Sequence, residues 1–189
     1  MNKTVLLLGF GTVLIFGLSG IFVIEYFQQK DFVSLLLKGW NIPLQLLTGI
    51  LFGFMIAEIA WFIINRDFFI KERAFYKGLI SKLNLNFTQI LFISFCAGIG
   101  EEIFFRAAIQ PFLGILLTSV IFVALHGYLN PINWRISIYG SFMVLTMVGF
   151  GYLFKYTGLF TVMAAHTVFD IVLLKKLGNN KETVESTNT

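Results

Sequence analysis

The scarcest thing in this chain is charge. Only 13% of its 189 residues are Asp, Glu, Lys or Arg, and 57% are hydrophobic; a soluble domain carries about 25% charged residues. That deficit excludes an ordinary water-soluble domain and a disordered chain. It also excludes nucleic acid as a partner, because the net charge is +4 with no dense Lys/Arg run. Cysteine is nearly absent: Cys96 stands alone in an apolar stretch, so no intramolecular disulfide staples the fold. Three prolines exclude proline-rich or collagen-like character. What remains is apolar, with 23 Phe and a mean hydropathy of +0.83. This is the composition of a membrane protein.

Crossing about 30 Å of hydrocarbon takes roughly 20 helical residues, and the chain supplies six candidate segments. They are Thr4–Ile24, Ile42–Ile64, Phe87–Ile109, a shorter one over Ile115–Asn130, Ile136–Phe154 and Gly158–Leu174. The first exceeds a secretory apolar region and lacks a small-residue cleavage site, so it reads as a retained helix. Between the second and third, residues 67–83 place Phe68, Phe69, Ile70, Phe75, Tyr76, Leu79, Ile80 and Leu83 at helical spacing opposite Lys71, Arg73, Lys77 and Lys82. This pattern predicts an amphipathic helix, lying in the interface or packed on the bundle. Tyr26, Trp40, Trp61, Tyr76 and Trp134 fall near segment ends and read as interfacial anchors. The predicted fold class is therefore an all-α polytopic bundle of about six spans with one amphipathic interfacial helix. Its expected organisation is an N-terminal part over 1–86, a four-span core over 87–177 and a disordered polar tail over 178–189.

Orientation follows from the loops. Lys3, Arg66, Lys71, Arg73, Lys77, Lys82, Arg135, Lys175, Lys176 and Lys181 fall on one side, and Lys30, Lys38 and Lys155 on the other. By the positive-inside rule both termini are cytoplasmic and the chain is a multi-pass protein of the cell membrane.

A few ionisable groups fall inside the apolar segments, where each costs at least a few kcal/mol and marks a site by default. They are Glu58, Glu101, Glu102, Arg106, Asp170 and both histidines, His126 and His166. Residues four apart share a helix face and adjacent ones diverge by about 100°. Glu102 and Arg106 are thus placed to pair, while Glu101 points elsewhere. Phe122 can pack on His126, and His166–Asp170 repeats the spacing. Residues 110–114 read as a turn, and Glu101 and His126 are equidistant from it, so they can face each other at one depth. Glu58, near the cytoplasmic end of its segment, is expected to be capped by Arg66 or a neighbouring helix. Cys96 reads as helix packing.

Glu101-Glu102-x-x-x-Arg106, Phe122-x-x-x-His126 and His166-x-x-x-Asp170, in that order, resemble the successive signatures of the CPBP (Abi) family of intramembrane endopeptidases. That family includes the type II CAAX prenyl proteases. The resemblance runs from about Phe87 to Lys175. It implies a membrane-embedded peptidase acting on a peptide or membrane-protein segment, with no cofactor. It further implies Glu101 as general base, His126 as its proton partner, His166 with residue 170 on the oxyanion side, and Glu102–Arg106 as a brace. The chain departs from the family at Asp170, where Asn is usual. An Asp donates to an oxyanion only when protonated; otherwise it accepts from His166 and orients that ring.

Other readings attach to the same residues. Two Glu, two His and an Asp could hold zinc, but there is no His-Glu-x-x-His and the histidines sit on different helices, which favours metal-independent chemistry. A catalytically inactive immunity or partner-binding protein of the same family is an alternative. A proton-coupled transporter fits less well, as the spans show no paired halves. The sequence leaves the oligomeric state open.

Overall fold

The computed structural model describes residues 3–179. Helices dominate, as they must where lipid offers the backbone no hydrogen bonds. The first, α1, runs from Lys3 to Phe27, with wide π turns over Val13–Leu18 and Val23–Phe27. A short helix, α2 (Phe32–Leu36), follows, started by Asp31 Oδ1 accepting from the Ser34 amide at 2.7 Å. Asn41 caps α3 (Ile42–Ile64), with Pro43 in its first turn, where a missing N–H costs nothing. A 3₁₀ turn at Asp67–Phe69 leads into α4 (Ile70–Leu83). A capping box, Asn86 with Gln89, opens α5 (Phe87–Glu102). The chain continues through a π stretch, Ile103–Ile109, into α6 (Gln110–Leu125). Two further helices complete it, α7 (Trp134–Thr157) and α8 (Leu159–Asn179).

Four of these helical stretches are long and apolar enough to cross a membrane: Lys3–Phe27, Ile42–Ile64, the 39-residue stretch Phe87–Leu125 and Trp134–Thr157. The third is folded back on itself. Gly114 leaves the helical region (φ 75°, ψ 170°), and the chain reverses there. Glu101 and His126 lie 25 positions apart, roughly 38 Å on a straight helix, yet their side chains stand 3.5 Å apart. The returning leg is shorter than the sequence suggests. It stops at Leu125, about 16 Å beyond the break at 1.5 Å per residue, and does not reach Asn130. The reason is local: Gly127 adopts φ 77°, and the Gly127 and Tyr128 amides close back on the Ala124 and Val123 carbonyls. This is a glycine-terminated helix end, and it leaves His126 at the tip of a half-length helix. At the other end of the chain, Gly178 and Asn179 extend α8 rather than opening the tail. The rest of the expected tail, 180–189, lies outside the described residues.

Packing inverts the soluble pattern. Leu7, Phe54, Phe95, Leu116 and Leu145 are all more than half exposed, whereas Glu102 and Arg106 are fully buried. The most extensive helix contact is between α3 and α8, followed by α5 against α8. Both rest on small residues: a Cβ added to Gly53 would stand 2.2 Å from the Ala165 carbonyl oxygen, and one on Gly98 would stand 2.2 Å from Thr167 Oγ1. Such close backbone approach is how helices associate where lipid supplies no hydrophobic drive. At one end of the bundle the Trp40 amide donates to the Thr157 carbonyl at 2.8 Å, joining the connection before α3 to the one after α7.

Candidate active site

The sequence-predicted residues gather around one aromatic ring, Phe122. Its face stacks on the His126 imidazole (centroids 4.3 Å, interplanar angle 21°), and His166 meets it edge-on at 5.8 Å. The Arg106 guanidinium carbon lies 5.7 Å from the ring centre. Phe122 thus divides the ionisable groups into a closed half and an open half.

The closed half is built on Glu102. Its Oε2 accepts from Arg106 Nε at 3.2 Å, one helical turn on, and its Oε1 pairs with His166 Nδ1 at 2.8 Å. Arg106 Nη2 also contacts Met147 Sδ at 3.2 Å. Glu102 and Arg106 have no exposed side-chain surface, and His166 has 6%. A carboxylate accepts, so Nδ1 of His166 carries the hydrogen of that contact. Its other nitrogen, Nε2, faces Asp170 Oδ2 at 3.7 Å, beyond hydrogen-bonding distance. The sequence pairs His166 with Asp170 by spacing; the close hydrogen bond goes instead to Glu102, 64 positions earlier, which no within-helix period reveals.

The open half is Glu101 and His126. His126 Nδ1 lies 2.7 Å from the Phe122 carbonyl, which can only accept, so Nδ1 bears hydrogen and Nε2 is left facing Glu101 Oε2 at 3.5 Å. That carboxylate oxygen is buried and has no hydrogen-bond partner among the described residues. The pair is the more accessible one: the His126 side chain is 38% exposed and that of Glu101 12%. Asp170, 28% exposed, reaches the surface of a cavity of about 170 Å³ between α4, α8 and the loop after His126.

Several residues shape this arrangement without a sequence signature. Pro111 has no N–H for the carbonyl four residues back, Ala107, and the π stretch displaces its neighbours. Gln28, at the end of α1, fills the gap, its Nε2 donating to the Ala107 and Ala108 carbonyls at 2.8 and 2.9 Å. Glu72, the one acid on α4, is buried, and its Oε1 accepts from Asn133 Nδ2 at 3.1 Å. Asn133 also caps α7, so the amphipathic helix is tied to the loop that carries His126. Tyr76 and Trp61 line the cavity beside Asp170 rather than serving only as anchors. Glu58 is paired by Lys176 (2.6 Å), not by Arg66, which lies over the Phe62 ring. Among the described residues no three His, Cys, Asp or Glu are grouped as a metal-ligand set.

Comparison with known proteins follows the same segment. The family model for type II CAAX prenyl endopeptidase Rce1-like proteins matches residues 83–172, a span that holds all six site residues. Residues 83–172 are thus similar to a domain of a protease family, in a chain whose long apolar helices point to a membrane protein. It is also 33% identical over 100 residues to the uncharacterized protein YpbD of Bacillus subtilis, a match covering 51% of this chain and 48% of that protein. The chain thus spans about half the length of the curated relative it matches. No solved structure matches it.

Proposed function

We propose that the chain is an intramembrane endopeptidase that hydrolyses a peptide bond with water activated by Glu101 and His126. The observation carrying this reading is the Glu101 carboxylate and the His126 imidazole, side chains that are both partly exposed and stand 3.5 Å apart, beside a fully buried Glu102–Arg106 pair. In the proposed reaction water binds against this pair and loses a proton to Glu101 as its oxygen adds to the scissile carbonyl. His126 Nε2 shares that proton and passes it to the departing amine, so the products are a carboxylic acid and an amine. A positioned base contributes roughly 10²–10⁴-fold. The developing oxyanion falls to His166 Nε2. Because Nδ1 donates to Glu102, Nε2 can donate only when the imidazole carries both protons, and Asp170 at 3.7 Å is placed to stabilise that cation. Loss of such a donor costs about 10²–10³-fold. Asp170 thereby takes a supporting part different from that of an Asn. Glu102 and Arg106 hold His166 rather than touch the substrate.

The substrate is a peptide or membrane-protein segment in the bilayer. The loop charges support cytoplasmic termini, with Asp170, Tyr128 and α4 at the cytoplasmic end. The test is cleavage of membrane-protein segments by the purified chain in lipid: Glu101→Gln and His126→Ala should each abolish cleavage while the protein stays folded in the membrane. Cleavage retained in both variants rejects the assignment. A biological role that survives Glu101→Ala favours the alternative of an inactive, partner-binding member of the family.

A further inference from the structure

The sorting of charge leaves three lysines on the side of the bundle opposite the other loop cations, and the structure brings all three to one place. Lys155 is far in sequence from Lys30 and Lys38, yet all three line a single cavity of about 720 Å³ where the segment before α3, the first turn of α6 and the end of α7 meet. Gly158 also lines it, and Asp170 lies twelve residues further along α8, about 18 Å away at 1.5 Å per residue. The cavity is therefore separate from the candidate active site.

Its charge is not neutralised internally. None of the three lysines forms an ion pair among the described residues. Lys30 Nζ donates to the neutral Gln28 Oε1 at 3.2 Å, and Lys155 lies over the Tyr156 ring at 5.4 Å. The one acid in the lining, Asp31, is occupied at the start of α2, where its Oδ1 accepts from the Ser34 amide. The formal balance is thus three cations against one anion. The remaining wall is apolar, formed by Leu35, Pro111 and Phe154. Leu37 and Phe112, each more than half exposed, continue it towards lipid. Cations converging over an apolar wall at a membrane boundary fit a ligand that is anionic at one end and hydrocarbon at the other.

We propose that this cavity binds the phosphate headgroup of an anionic phospholipid, with the glycerol and acyl chains against Leu35, Pro111 and Phe154. A free phosphate would use the lysines and leave the apolar wall without a partner. A basic residue near an anionic lipid surface contributes about 1 kcal/mol, or roughly fivefold in affinity, so loss of all three should cost about a hundredfold.

The test uses the full chain in nanodiscs of phosphatidylcholine, alone or mixed with phosphatidylglycerol, with retained lipid counted by native mass spectrometry. The wild type should retain phosphatidylglycerol over phosphatidylcholine. Each of Lys30→Gln, Lys38→Gln and Lys155→Gln should lower that preference about fivefold, and the triple variant about a hundredfold. The triple Lys→Arg variant should keep it, which separates charge from disturbed folding. Glu101→Gln should also keep it, so failure of the peptidase reading leaves this result intact. Three outcomes overturn the proposal: no headgroup preference in the wild type, a preference unchanged in the single and triple Gln variants, or displacement of phosphatidylglycerol by equimolar inorganic phosphate.

Discussion

Replacing Arg106 by Met removes one side of a fully buried ion pair and leaves Glu102 with a single donor. Neither side chain of the pair has exposed surface, and the Arg106 Nε–Glu102 Oε2 distance is 3.2 Å. Breaking a buried pair in this way typically costs about 3–5 kcal/mol, because the charge left behind has no water to turn to. Here Glu102 keeps the His166 Nδ1 contact at 2.8 Å, which places the expected loss near the lower end, about 3 kcal/mol. At about 2–4 °C per kcal/mol for a chain of this size, thermal unfolding in mild detergent should fall by roughly 6–12 °C. The double variant Glu102→Met/Arg106→Met removes both charges together. It should be less destabilised than Arg106→Met, since exchanging a buried pair for apolar side chains is often neutral. The double-mutant cycle therefore yields a coupling energy of a few kcal/mol. Equal and additive losses, with both single variants within about 0.5 kcal/mol of wild type, would refute the argument that Glu102 is an enclosed charge held by these partners.

Two further outcomes follow from packing and anchoring. Gly53→Leu drives a side chain into the Ala165 backbone, which a Cβ alone would meet at 2.2 Å; α3 and α8 must separate, so the variant should unfold at lower temperature and lose His166 function with it, read by thermal unfolding and cleavage together. Glu72→Ala removes the acceptor of Asn133 Nδ2 at 3.1 Å, and a lost hydrogen bond of this kind is worth about 1 kcal/mol. The expected result is faster amide exchange confined to residues 126–133 with little change in global stability; unchanged exchange there would contradict the anchoring role.

Much of this was legible in the sequence, and what was not has a physical reason. Segment positions follow from hydropathy, and the reversal at residues 110–114 follows from Pro111 and Gly114, so the meeting of Glu101 and His126 across that turn is available from register alone. Glu102–Arg106 and Phe122–His126 are i, i+4 pairs and need no tertiary knowledge. The His166–Glu102 hydrogen bond joins two helices whose rotation about their axes is set by Gly98, Gly53 and the π stretch after Glu102, and spacing carries no such information. The early stop of α6 turns on Gly127 taking φ 77°, a choice a glycine permits and does not announce. Glu72 sits among basic residues on an amphipathic helix, where its burial against Asn133 is invisible to periodicity. The partner of Glu58 was likewise a matter of tertiary contact, since Lys176 lies 118 positions away.

The measurement that bears most directly on the central claim compares membrane proteomes of cells carrying the intact chain and the Glu101→Gln form at equal abundance. Paired fragments of at least one membrane-embedded protein, cut within or beside an apolar segment, should be present with the intact chain and absent with Glu101→Gln. Identical fragment patterns in the two, with the intact chain folded and in the membrane, would contradict it.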